Sequence, residues 1–147
     1  MSEDFLFDME TLFMALADKT RLRLLNLMRE DEICVCFFTE VLEESQPKVS
    51  RHLAYLRNAG IVETRREGKW MHYRIIKPAN YFAAQVLGDT LAWLGSRSEM
   101  QKDYEKLTEA CCAPTAPVTI RRAPKPNVFV STNTFSIQDQ ELETYLL

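Results

Sequence analysis

Histidine and glycine are scarce in this chain, two and four among 147 residues. Both histidines, His52 and His72, fall in one short stretch. With no Gly-rich loop to cradle phosphate and no nucleophile motif, no catalytic constellation is present, and an enzyme is not expected. No apolar run approaches the ~18 residues that a membrane span requires. The opening Met1-Ser2-Glu3-Asp4 is acidic where a secretory signal would be basic. A soluble cytoplasmic protein, with no membrane association and no organic cofactor, is therefore expected. The four cysteines match no zinc-finger spacing.

What the chain does have is an uneven charge. The net value is −3, which by itself argues against nucleic acid. Residues 1–46, however, carry eleven acids and four bases, whereas residues 47–77 carry eight bases and only Glu63 and Glu67 as acids. A basic block in an acidic chain is the footprint of a phosphate-contacting surface, although a solvated charged face would look the same by charge alone.

Apolar periodicity organises the rest. Met9, Leu12, Phe13 and Leu16 form one stripe, giving an amphipathic first helix. Asp18-Lys19-Thr20 offers a cap, and Leu22 to Met28 make a second, mostly buried helix. A short third helix is expected around Val35–Leu42, closed by Glu43-Glu44-Ser45. Ser45 or Gln46 can cap the next helix and Pro47 suits its first turn. Val49, Leu53, Leu56 and Ile61 then face the core, and Gly60 reads as a C-terminal cap. The opposite face carries Gln46, Lys48, Ser50, Arg51, His52 and Tyr55. A short helix, a tight turn and a helix with one apolar stripe and one basic face is a helix-turn-helix, whose second helix fits a major groove of duplex DNA.

Two β-prone runs flank Glu67-Gly68-Lys69 and read as a hairpin. Placed directly after the reading helix, with Arg65, Arg66 and Lys69 at its tip, the hairpin is a wing that reaches phosphates. His72 and Trp70 read as packing residues within it. From Ala79 to about Cys111 one long helical segment follows, with more apolar surface than a small winged helix covers. Phe5, Leu6, Phe7, Met9, Leu12 and Phe13 show the same surplus at the N-terminus. Together they predict a homodimer through the N- and C-terminal helices. The expected architecture is mostly α with a β-hairpin wing: residues 1–112 form the winged helix-turn-helix and dimerisation domain. Residues 113–147, with Pro114, Pro117, Pro124 and Pro126, read as a flexible tail.

The run Gln46-Pro47-Lys48-Val49-Ser50-Arg51-His52-Leu53-Ala54-Tyr55-Leu56-Arg57-Asn58-Ala59-Gly60-Ile61-Val62 resembles the recognition segment of ArsR/SmtB metalloregulatory repressors. Arg65-Arg66-Glu67-Gly68-Lys69-Trp70-Met71-His72-Tyr73-Arg74 resembles that family's wing, and Leu16-Ala17-Asp18-Lys19-Thr20-Arg21-Leu22-Arg23-Leu24-Leu25 its second-helix signature. The resemblance covers residues 8–95. It implies a homodimeric repressor that leaves its double-stranded operator when an inducer binds. Glu32-Ile33-Cys34-Val35-Cys36 resembles the segment of arsenic-responsive members, which often add a third cysteine where this chain has Thr39. Cys111 and Cys112 resemble the placement of cysteines near the last helix end in other arsenic-responsive members.

The resemblance thus implies trivalent arsenic (arsenite) as inducer, with antimony close behind, and Cys34, Cys36, Cys111 and Cys112 as the candidate ligands. Soft thiolates favour such thiophilic acceptors, and a helix N-terminus lowers a thiol pKa. Two residues apart on a regular helix, the Cys34 and Cys36 side chains would diverge by about 200°. On that expectation, chelation must unwind or shift the helix start, and the distortion is the switch. Other readings stay open: organoarsenicals, a divalent metal, or oxidation of the paired thiols in a redox-sensing repressor. Zinc at a dimer interface is disfavoured, because the last helical segment offers only Asp89, Glu99, Asp103, Glu105 and Glu109 and no histidine.

Overall fold

The computed structural model describes residues 2–29, 31–112, 120 and 122–128, leaving the side chains of residues 2–8 and of Cys112 outside the described set. The elements run α1 (Ser2–Leu16), α2 (Lys19–Leu27), β1 (Ile33–Cys34), α3 (Val35–Leu42), α4 (Gln46–Asn58), β2 (Val62–Glu67), β3 (Trp70–Ile75), α5 (Tyr81–Gly95) and α6 (Ser98–Cys112). The three strands form an antiparallel sheet in the order β1-β3-β2. This is the mostly helical winged fold that the periodicity predicts.

Local chemistry sets the helix ends. The Asp18 side chain accepts the Arg21 N–H at 3.0 Å and starts α2. Ser45 caps α4 ahead of Pro47 in its first turn. At the other end of α4, Gly60 takes φ +77, and the Gly60 and Ile61 N–H groups return to the carbonyls of Arg57 and Leu56. That pair of bonds is a Schellman stop, and Leu56 and Ile61 beside it are both within 1 % of full burial. In the hairpin, Gly68 (φ +59) takes the first of the two loop positions between the paired Glu67 and Trp70.

The core lies where α2, α3, α4 and α6 meet. Leu24, Leu25, Phe37, Phe38, Val49, Leu53, Leu56 and Leu107 are all buried there. Each contributes roughly 1.5–3 kcal/mol of transfer free energy. Asp103 of α6 receives Arg23 of α2 through two bonds, at 2.7 and 3.1 Å, and buried Asn26 donates to the Met100 carbonyl at 2.9 Å. These bonds lock α6 against α2.

Three features depart from expectation. The segment after Ala79 is two helices, broken at Gly95-Ser96, where the Ser96 hydroxyl and N–H both turn back to the Trp93 carbonyl. Glycine is a poor helix former, and here a Cβ would meet Arg29 at 3.2 Å. Only the first of the two helices keeps a large exposed apolar face: Tyr81, Phe82 and Trp93 are exposed, while Met100 and Leu107 of α6 are buried. Finally, within the segment read as a tail, Ile120, Ala123 and Pro126 are buried, and the Val128 N–H donates to Asp31 at 3.0 Å. Phe5, Leu6 and Phe7, singled out with the first helix, have side chains outside the described residues. No described helix is long and apolar enough to cross a membrane.

Candidate DNA-reading surface and thiol site

Helix α4 stands on its buried Val49, Leu53 and Leu56, so the residues between them are presented outward. Gln46, Arg51 and Tyr55 are exposed; Lys48, Ser50 and His52 are half-buried. Lys48 is held by Glu44 at 2.9 Å, and His52 Nδ1 stands 3.6 Å from Asp18. A shallow groove brings Lys48, Arg51, His52 and Tyr55 together with Arg21 of α2. Arg21 is a residue of this groove that sequence reasoning missed. Its guanidinium donates to the Ala15 and Met14 carbonyls, each at 2.8 Å, and lies 4.1 Å from the Tyr55 ring centroid. Nothing in a periodic pattern signals a contact between residues 34 positions apart.

The wing projects from the end of α4. Arg66 and Lys69 are exposed at its tip, with the Lys69 ammonium 4.9 Å from the Trp70 ring. Arg65, expected beside them, is engaged instead by Glu32, with bonds of 2.6, 3.0 and 3.1 Å. His72 is buried at 3 % exposure and meets Glu67 through Nε2 at 2.9 Å, consistent with a packing role.

The thiol geometry differs most from expectation. Cys34 is not in the helix. It ends the two-residue strand β1 and caps α3 in an extended conformation, φ −69 and ψ 139. The helical divergence of about 200° therefore does not apply. Instead the Cys36 thiol donates to Cys34 Sγ at 3.2 Å. No unwinding is needed to bring the two sulfurs to one atom. A two-residue strand gives no alternation to read, which is why spacing alone misplaced Cys34.

This arrangement divides one proton between two sulfurs. The bond from Cys36 pulls the Cys34 pKa down to about 6; burial opposes it, and the Cys36 N–H, the His72 charge and the Val35 N–H assist. The Cys36 thiol is pushed up, first by holding its proton toward Cys34 and then by burial. The pair offers one thiolate and one thiol near neutral pH. Thr39, where a third cysteine might stand, gives its hydroxyl to the Cys36 carbonyl at 2.8 Å. Cys111 is buried in the last turn of α6 and joins the same core as α3. Among the described residues, no group of three or more His, Cys, Asp or Glu side chains is placed to hold a metal ion. The close Cys34–Cys36 pair is a soft two-sulfur donor set, the kind that suits a thiophilic acceptor.

Comparisons with known proteins bear on the family and the fold. The sequence pattern of "Bacterial regulatory protein, arsR family" matches residues 18–64. The arsenical resistance operon repressor of Escherichia coli is 40% identical over 103 residues, covering 69% of this chain and 86% of that protein. An arsenic resistance transcriptional regulator of Pseudomonas putida is 58% identical over 64 residues, covering 43% of this chain and 50% of its own length. Among solved structures, reduced HlyU from Vibrio cholerae superposes with a TM-score of 0.53 at 28% identity, over 65% of this chain and 97% of that one. On the helix-turn-helix, the wing and these relatives together, the chain belongs to the arsR family of DNA-binding transcriptional repressors and is not an enzyme.

Proposed function

We propose that this repressor binds an operator as a homodimer in the cytoplasm and releases it when trivalent arsenic is captured by Cys34 and Cys36. The observation that carries the reading is the 3.2 Å approach of the two sulfurs at the start of α3, one helix upstream of the reading helix. The relatives named as arsenical resistance repressors support the same inducer class. Trivalent arsenic or antimony supplies a thiophilic centre that two sulfurs can chelate. In this chain Cys34 provides the thiolate, Cys36 loses its proton on ligation, and the backbone N–H groups of Val35 and Cys36 hold the negative charge in place. Cys111 and Cys112 are the candidates for further ligands, from the end of α6.

Gln46, Ser50, Arg51, His52 and Tyr55 read base edges and phosphates, while Lys48, Arg66 and Lys69 hold the backbone. The exposed Phe13, Phe82 and Trp93 supply the dimer face. Residues 1–112 make the DNA-binding and dimerisation unit, with 113–147 an appended segment.

Titrating the DNA-bound protein with arsenite, antimonite and zinc tests this directly, in the parent and in Cys34→Ser/Cys36→Ser and Cys111→Ser/Cys112→Ser. Arsenite should release the parent and spare the first variant. Release by zinc alone would sink the reading. The close sulfurs and the depressed Cys34 pKa also favour a second one, a thiol redox sensor. Peroxide-driven release without metalloid, reversed by a thiol reductant, would select it.

A further inference from the structure

One row of side chains crosses all three strands, from the thiol site to the wing. Cys34 lies opposite His72, and His72 lies opposite Arg65, so the three share one face of the sheet. Two carboxylates lace the row. Glu32, two residues before Cys34, accepts from Nε and Nη2 of the Arg65 guanidinium and comes within 3.8 Å of His72 Nδ1. Glu67, the last residue of β2, meets His72 Nε2 at 2.9 Å and Arg65 at 3.4 Å. His72 is enclosed between the two carboxylates, and both of these also touch the same arginine.

We propose that Glu32, Arg65, Glu67 and His72 form a strut that transmits ligand capture at Cys34 and Cys36 to the wing, and that Arg65 is a positioning residue for the wing rather than a DNA contact. The inference rests on the thiol pair being the sensor. Its physical basis is directional bonding. A forked arginine–carboxylate pair holds both orientation and distance, so displacement of one partner drags or releases the other. Strand β1 is two residues long and is joined to β3 by only two residue pairs. A ligand bridging the sulfurs replaces the 3.2 Å Cys36–Cys34 hydrogen bond and shifts Cys34 at the end of this short strand, and Glu32, two residues before it, moves with it. Arg65 follows, and with it the aim of Arg66 and Lys69 at the tip. Besides the strut, the wing is tied to the thiol segment by the short β1–β3 pairing and by the packing of Phe38 of α3 against Tyr73 of β3.

The test uses the full chain with Glu67→Ala and Glu32→Gln. Glu67 is half-exposed, so its truncation leaves the core intact. Three quantities are measured for each: arsenite binding to DNA-free protein by sulfur–arsenic ultraviolet absorbance, operator affinity without arsenite, and operator affinity at saturating arsenite. Both variants should bind arsenite and operator within about threefold of the parent, yet lose about tenfold or more of the arsenite-induced fall in operator affinity. Undiminished release in both variants overturns the strut. Salt dependence gives a readout that needs no inducer. Arg66→Ala should lower the slope of log affinity against log salt by about one, and Arg65→Ala should leave it unchanged. A matching drop for Arg65→Ala makes Arg65 a phosphate contact and overturns the proposal. If arsenite still releases Cys34→Ser/Cys36→Ser from DNA, the thiol reading itself has failed, a result distinct from loss of the strut.

Discussion

The Arg21 guanidinium lies over the Tyr55 ring, 4.1 Å from its centroid, while its nitrogens hold the Met14 and Ala15 carbonyls at the end of α1. One side chain thus ties three elements together: the first helix, α2 and the exposed face of the reading helix. Arg21→Ala should weaken operator binding about tenfold, since an exposed cation–π contact is worth up to ~1 kcal/mol and a positive charge near DNA is also lost. Arg21→Lys restores the charge but neither the stacking nor the forked contacts, so the salt slope should recover while most of the affinity loss remains. Anisotropy titrations at several salt concentrations measure both. Parent-like affinity in Arg21→Lys would mean that Tyr55 needs no such support.

The proton shared by Cys34 and Cys36 gives a pH dependence whose sign can be worked out. An unfolded chain holds both thiols protonated until about pH 9. The folded chain gives up one proton near pH 6 and keeps the other. Between those limits the unfolded state binds one proton more, so stability rises with pH, by at most about 1.4 kcal/mol per unit. Above pH 9 the unfolded chain loses both protons while the folded pair retains one, and the trend reverses. Urea unfolding from pH 5.5 to 10 should show this rise and fall in the parent relative to Cys34→Ser. Parallel curves for the two proteins would refute the shared proton.

Gly60 stops the reading helix at φ +77, with open space where a Cβ would go. Gly60→Ala therefore costs only the strain of a left-handed backbone, about 1–2 kcal/mol. Chemical denaturation should show that loss with an unchanged dependence on denaturant, and operator binding at 25 °C should stay near the parent's. A larger cost would mean that the turn is packed more tightly than its surroundings indicate.

Much of this was readable before any coordinates, and the parts that were not share a cause. The apolar stripe of α4, its capping residues, the Gly68 turn and the exposed wing-tip bases follow from period and local backbone demands, which a sequence states directly. The pairing of β1 with β3 does not, because two residues show no alternation. That single omission extended helical geometry to Cys34, one residue before the expected helix, and set the two sulfurs on diverging sides. Arg65 illustrates the same limit: its charge marks it as a DNA contact, and only the fold brings Glu32, 33 positions away, against it. The break at Gly95-Ser96 was visible as residues but not as a reversal that folds α6 back onto α2.

That reversal sharpens the expected dimer face. With Met100 and Leu107 buried within the protomer, the large exposed apolar side chains outside the reading helix lie, among the described residues, on α1 and α5: Met9 at 43%, Phe13 at 50%, Phe82 at 67% and Trp93 at 69% exposure. Met9, Phe13 and Phe82 line one small cleft, and Phe13 and Trp93 a neighbouring groove, so the patch is continuous. A contiguous patch of large exposed apolar side chains is what a second copy would cover. Replacing Phe13 and Trp93 together by glutamate puts two charges into that contact without touching the core. Sedimentation should then report a monomer with an unchanged far-ultraviolet spectrum. Binding to a palindromic operator should fall by about a hundredfold or more, because one reading head must hold the site alone. A dimer that survives both charges would place the contact on α6 or elsewhere.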